Sequence, residues 1–204
     1  MTEKVETCIK RLGTDFSKQS DNIWYEYDAQ FRLMSHLSNE LDRPGFPGVV
    51  HAEIPAKNRQ RYDIAVYEDE TAQKIVREDF CSPDWATKIM QERPIAAVIE
   101  VTLGWIDNDR IYWSYKRRVE KAIGRLVDNA GNGQLEPRST HYVVICCITK
   151  QYGSKRTLAG IQSVHKARRW VKEKLDQLTT DSPLTIRVYW TSDHPHDRPG
   201  WIDM

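Results

Sequence analysis

The sequence predicts an α/β domain in which helices pack on a mixed β-sheet, and three observations predict it. Apolar, β-rich runs recur along the chain, as PIAAVIEVTLG (94–104), HYVVICCIT (141–149) and PLTIRVYWT (183–191). Segments with apolar residues at three- and four-residue steps alternate with them, the helical period between strand-like runs. No Pro/Gly/Ser stretch is long enough to divide two domains, and 204 residues suit one compact unit with a sizeable core. At 40% hydrophobic and 29% charged the composition is that of an ordinary globular protein. No apolar run approaches the roughly 18 residues that span a bilayer.

The elements follow in order. Residues 1–20 begin with a short helix that GTDFSKQSDN breaks, which makes them an N-terminal extension to a domain at 21–204. A firmer helix opens at Asp21 or Asn22 and places Ile23, Tyr27, Gln30, Met34, Leu37 and Leu41 on one face. Pro44 and Pro47 in RPGFPG end it. GVVHAEIPA and RYDIAVYE, separated by KNRQ, read as an antiparallel hairpin. An acidic insertion occupies about 68–93, with a short helix after Ser82-Pro83-Asp84, and 94–104 is the central strand. From Asp109 to about Asn129 a helix turns Tyr112, Tyr115, Val119, Ala122 and Leu126 inward. A strand at 141–149, a basic helix from about Leu158 to Leu178 and a last strand at 183–191 complete the order α-β-β-β-α-β-α-β.

The charge of +1 hides an uneven distribution. Residues 1–102 carry 13 basic and 18 acidic side chains, so the basic excess lies in the second half. There Lys116, Arg117, Arg118, Lys121 and Arg125, and later Lys166, Arg168, Arg169, Lys172 and Lys174, form two basic helical faces that suit a phosphate backbone. Cys8, Cys81, Cys146 and Cys147 show no zinc-ligand spacing and read as reduced thiols. MTEKVETCIK has no apolar signal core, so a cytoplasmic location without membrane attachment is expected. His194-Pro195-His196-Asp197 reads as a solvated loop, and Trp105, Tyr112, Trp113 and Tyr115 as packing between the central strand and the next helix.

Two carboxylates stand where solvation does not explain them. Asp63 lies inside YDIAV and Glu100 inside AVIEV, and a carboxylate buried in such a strand costs several kcal/mol unless it is paired or bound to a cation. Two of them on neighbouring strands can share a hard divalent ion, which oxygen ligands suit; the structural alternative is a salt bridge to Arg61 or Arg59. Residues two apart on a strand face one way, so Glu100 and Thr102 look at one site.

This arrangement, an acid on the second strand of a hairpin, then a Glu on an apolar strand, then a helix, with an acid-bearing helix in front, resembles the PD-(D/E)XK nuclease superfamily, the restriction-endonuclease-like fold. The resemblance covers about residues 22–150. It implies that Asp63 and Glu100 ligate Mg2+ or Mn2+, that the Val101 carbonyl is a further ligand, and that Glu26, with Gln30 as alternate, is the helical acid. The family's lysine position is Thr102, which can orient a water but carries no charge. The missing cation would come from Lys116, ahead of Lys121 and Lys57, or catalysis has been lost and the domain only binds nucleic acid or a protein. The resemblance thus implies a metal-dependent nuclease acting on DNA in preference to RNA. A homodimer is expected because cutting a duplex takes two active sites or two visits.

Overall fold

The computed structural model describes residues 1–19, 25–42, 50–55, 61–67, 95–107, 110–111, 113–131, 139–149, 160–180, 182 and 184–202. The elements are α1 (Thr2–Gln19), α2 (Glu26–Leu41), β1 (Val50–Pro55), β2 (Arg61–Tyr67), β3 (Ile95–Asp107), β4 (Arg110–Ile111), α3 (Trp113–Gly131), β5 (Thr140–Ile148), α4 (Ile161–Thr179), β6 (Ile186–Ser192) and β7 (Gly200–Ile202). Six strands lie in the order β1-β2-β3-β5-β6-β7, and β4 folds back on the end of β3. The first three are antiparallel, β3, β5 and β6 are parallel, and β7 is antiparallel again. The mixed sheet flanked by helices is therefore the one expected. The acidic insertion, its short helix, Cys81, Lys57 and Arg59 lie outside the described residues.

The alternation of side chains along the strands builds two cores. Val98, Val143, Ile145, Val188 and Trp190 face α3 and α4, with Val119, Leu126, Val164 and Val171 against them. Ile64, Ile99, Val101, Val144 and Cys146 face α1 and α2, meeting Val5, Leu12, Phe16, Leu33 and Leu37.

Instead of a short helix broken in GTDFSKQSDN, residues Thr2–Gln19 form one helix, with Val5, Cys8, Ile9, Leu12 and Phe16 fully buried. Gly13 reads as a breaker, yet it sits mid-helix because a Cβ there would lie 2.6 Å from Cε1 of Tyr189, so its small size lets α1 approach β6. The peptide is also tied across, Thr191 Oγ1 donating to the Gly13 carbonyl at 3.0 Å. Tertiary packing overrides the roughly 1 kcal/mol helix penalty of glycine.

The other differences are local. The start of α2 is Glu26, after Tyr25, and its buried residues are Ala29, Gln30, Leu33, Leu37 and Leu41, which leaves Tyr27 exposed rather than inward. β3 runs on to Asp107 and pairs with β4, so α3 starts at Trp113 rather than Asp109. The short β7 was not foreseen; its Trp201 stacks edge-on to Tyr189 at 5.0 Å and under the Arg187 guanidinium at 4.4 Å. Cys8, Cys146 and Cys147 are buried free thiols, and burial pushes the Cys146 and Cys147 thiols well up.

Candidate functional site: a split between two strands

The candidate site begins where β2 parts from β3. Their pairing runs from Tyr67↔Ile95 to Ile64↔Ile99, and β2 then continues along β1, through Ile54↔Tyr62 to Pro55↔Arg61. The residue beside Ile64, where the pairing with β3 stops, is Asp63, whose Oδ2 accepts the Val101 N–H at 2.7 Å. A carboxylate thus takes the place of a ladder acceptor on the peptide that follows Glu100. Two residues further along the same edge, the Leu103 N–H donates to Glu26 Oε2 at 3.2 Å. On its other edge β3 stays paired with β5, from Ala97↔Thr140 to Trp105↔Ile148.

Glu100 points to the helical layer of α3 and α4, the face shared by Val98, and its side chain is fully buried. Arg125 of α3 forms an ion pair with its Oε2. Thr102 lies on the same face two residues on, 2% exposed, as the spacing predicts. Thr102 Oγ1 and the Tyr62 hydroxyl are buried without a hydrogen bond among the described residues. Burial first, and the Glu100 charge second, push the Tyr62 hydroxyl pKa well up, so Tyr62 remains a neutral phenol beside that carboxylate.

Glu100 is thus paired with Arg125 rather than Lys116, and the side chains of Arg59 and Arg61 lie outside the description. Lys116 Nζ lies over the Trp170 ring at 5.4 Å, against α4. Nine helical residues separate it from Arg125, about 13.5 Å along the axis and half a turn round, so the two occupy opposite sides of α3. Lys121 is exposed. Glu26 is held at Leu103 by its own arginine: Arg118 Nη1 lies 3.6 Å from Glu26 Oε2 and donates to the Leu103 carbonyl at 3.2 Å. Gln30, the alternate helical acid position, is buried in α2. The expected set is thus divided, with Asp63, Glu100, Val101 and Thr102 together at the split, Glu26 clamping a peptide beyond it, and Lys116 elsewhere.

Arg118 and Arg125 are the residues that motif reasoning passed over. They stand seven apart on α3, about 10.5 Å, while the strand positions they serve, 103 and 100, are about 10 Å apart. Because α3 returns along β3 in the crossover to parallel β5, the two spacings match. An i, i+7 arginine pair flanking the inward stripe Val119, Ala122, Leu126 was the readable signal.

The His194 loop is also corrected, since only His196 of its two histidines is exposed. Asp197 Oδ2 accepts from Trp190 Nε1 at 2.7 Å and from Ser192 Oγ at 2.5 Å, and Asp193 Oδ1 accepts from Thr149 N and Oγ1, both at 2.6 Å. Asp193 thus ties the end of β6 to that of β5, and Asp197 ties the following loop back onto β6. Of the aromatic cluster, Tyr115 is buried under Gly104 as expected, whereas Trp105 is 39% exposed.

Among the described residues no group of three or more His, Cys, Asp or Glu side chains gathers as a metal cluster. The donors at the split are nevertheless all oxygen: the Asp63 and Glu100 carboxylates, the Thr102 and Tyr62 hydroxyls and the Val101 carbonyl, which shares the edge of its own N–H. That chemistry fits Mg2+ or Mn2+, which take one or two carboxylates and keep several waters. Fold and site together define an α/β protein with a mixed sheet and a carboxylate-lined strand split. Compared with known families, curated proteins and solved structures, the chain matches none of them.

Proposed function

We propose that the chain is a metal-dependent nuclease of the restriction-endonuclease-like type, hydrolysing phosphodiester bonds of DNA. The observation that carries the reading is the departure of β2 from β3 at Asp63, which sets its carboxylate on the peptide adjoining buried Glu100. The element order α2-β1-β2-β3-α3-β5, antiparallel strands followed by a parallel crossover, supports it. In this reading Asp63, Glu100 and the Val101 carbonyl hold the cation, and the Thr102 hydroxyl orients a water. Arg125 supplies beside Glu100 the positive charge that Thr102 lacks, in place of Lys116. What a bound Mg2+ or Mn2+ supplies is acidity for the attacking water and stabilisation of charge on the phosphate.

The test is cleavage of plasmid and single-stranded DNA with Mg2+ and Mn2+. Asp63→Asn keeps an oxygen for the Val101 N–H, and Glu100→Gln keeps the side-chain shape; both variants are expected to fold and to lose cleavage. Undiminished cleavage by either removes the site assignment. The full burial of Glu100 and its ion pair favour a second reading, a catalytically lost module that binds nucleic acid or a protein. A wild-type chain inactive with every metal but showing salt-sensitive DNA binding would establish that alternative.

A further inference from the structure

The helices α3 and α4 lie side by side on one face of the sheet. α3 leads from β3 to parallel β5 and α4 from β5 to parallel β6, so both return against the strands and run in the same direction. Two contacts fix their alignment: Lys116 Nζ sits over the Trp170 ring at 5.4 Å, and Lys174 Nζ pairs with Glu120 at 3.4 Å. Four residues along α3 thus match four along α4, and the first halves of the two helices adjoin.

Those halves hold the surplus of positive charge. Trp113–Lys121 carries four cations and one carboxylate, and Ile161–Trp170 carries three cations and none, whereas in the second halves the two signs cancel. Arg118 and Arg168 are taken up by Glu26 and Asp197. Arg117, Lys121, Lys166 and Arg169 are exposed, and among the described residues no carboxylate pairs with them. They stand about half a turn from the buried stripes Val119, Ala122, Leu126 and Val164, Ala167, Val171, so all four face outward. Lys116 adds a fifth positive charge at the seam. Lys166 lies one turn before Trp170 and Lys121 five residues beyond Lys116, which makes the patch about 13 Å long and about 10 Å wide.

The residue types select the occupant. The exposed large hydrophobics among the described residues, Met1, Tyr25, Tyr27, Phe31 and Trp105, all lie outside α3 and α4. A protein interface gathers apolar and aromatic side chains at its centre, and a helix that binds a membrane surface inserts an apolar face. A patch of cations suits a phosphate backbone, which a duplex presents at twice the charge density of a single strand. We propose that the joined α3–α4 face binds the phosphate backbone of duplex nucleic acid through Arg117, Lys121, Lys166 and Arg169, without metal and without reading sequence. Arg125 leaves α3 toward Glu100 on the sheet, so this face is distinct from the split. The binding stands on its own; that it holds a duplex for cleavage at the split rests on the nuclease reading.

The experiment is fluorescence anisotropy of the full chain in EDTA, with labelled duplexes of about 20 base pairs in two unrelated sequences and with one of their single strands. Both duplexes are expected to bind alike and more tightly than the single strand. Their affinity should fall roughly a hundredfold between about 50 and 200 mM salt, as about four phosphate contacts dictate. Arg117→Ala with Lys121→Ala, and Lys166→Ala with Arg169→Ala, should each lower the salt slope by about two, and the fourfold variant should flatten it. Lys10→Ala with Lys18→Ala, exposed on α1 across the sheet, should leave binding unchanged. All six side chains are exposed, so the variants are expected to fold, which circular dichroism checks. A wild-type slope in either pair on α3 or α4, an equal loss from the α1 pair, or tighter binding of the single strand would each overturn the proposal. Capture of phosphatidylserine vesicles in place of the duplex would overturn it in favour of a membrane surface. Duplex binding lost in the fourfold variant, with no cleavage by the wild type in any metal, would overturn the nuclease reading alone. Cleavage by the fourfold variant at an unchanged KM would overturn this proposal alone.

Discussion

Replacing Arg125 by Met removes the guanidinium from a carboxylate that has no exposed surface, while the methionine fills most of the vacated volume. Leaving one member of a buried pair without the other costs about 3 to 5 kcal/mol. Glu100→Gln leaves the charge on Arg125 instead, whose side chain is 20% exposed and reaches water, so its cost is expected to be smaller, about 1 to 2 kcal/mol. The double variant has neither charge to bury and is expected to be more stable than the sum of the single losses by about 2 kcal/mol. Urea unfolding of the four proteins at pH 7 measures this coupling. A second arm adds Mg2+ or Mn2+: if the cation binds where Arg125 now sits, it stabilises Arg125→Met by about 1.4 kcal/mol per tenfold concentration above its Kd and leaves the double variant unmoved. Strictly additive single losses, or an Arg125→Met chain within about 0.5 kcal/mol of wild type, would refute the view that this pair governs the charge at the split.

Three further outcomes are expected. Asp63→Ala, unlike Asp63→Asn, removes the acceptor of the buried Val101 N–H and should cost about 1 to 3 kcal/mol more than the Asn variant in the same urea assay; equal costs would mean that the bond carries no weight. Burial lowers the His141 pKa from 6.5 to about 4, so the folded chain resists a proton that the unfolded chain accepts. Stability is therefore full above pH 6.5 and falls toward pH 4 by up to about 3 kcal/mol, a slope that His141→Leu should remove; parallel pH profiles would contradict it. Gly104→Ala drives a methyl group into the Tyr115 ring, which α3 lays against β3, and should lower stability by about 2 kcal/mol or more; a neutral thermal melt would show that α3 shifts freely.

The strands and most helices were legible because their periodicity is strong and their ends carry Pro and Gly. What stayed hidden depended on contacts across the chain. Nothing local shows that Gly13 is kept small by Tyr189, so a close-packed helix read as a broken one. Tyr27 fits a helical stripe by spacing, yet the buried arc of α2 passes through Ala29 and Leu33, and the aromatic ring faces outward. Asp63 and Glu100 were visible because a carboxylate in an apolar strand is costly wherever the chain goes. Their surroundings were not, because the cation beside Glu100 comes from a helix whose direction along β3 is a tertiary fact. Lys116 is the lysine near the start of that helix, whereas Arg125 is the residue that the return path of α3 delivers to Glu100.

That delivery also bears on whether the split is a reactive centre or a structural joint. Asp63 and Glu100 are both buried at the split, and Arg125 pairs with Glu100. Carboxylates repel a phosphodiester, and a divalent ion held between them and the phosphate removes that repulsion. Nuclease chemistry at this split therefore requires the cation for binding the scissile phosphate as well as for activating water. In the proposed nuclease reading EDTA abolishes cleavage, and cleavage undiminished by EDTA would refute the role given to Asp63 and Glu100.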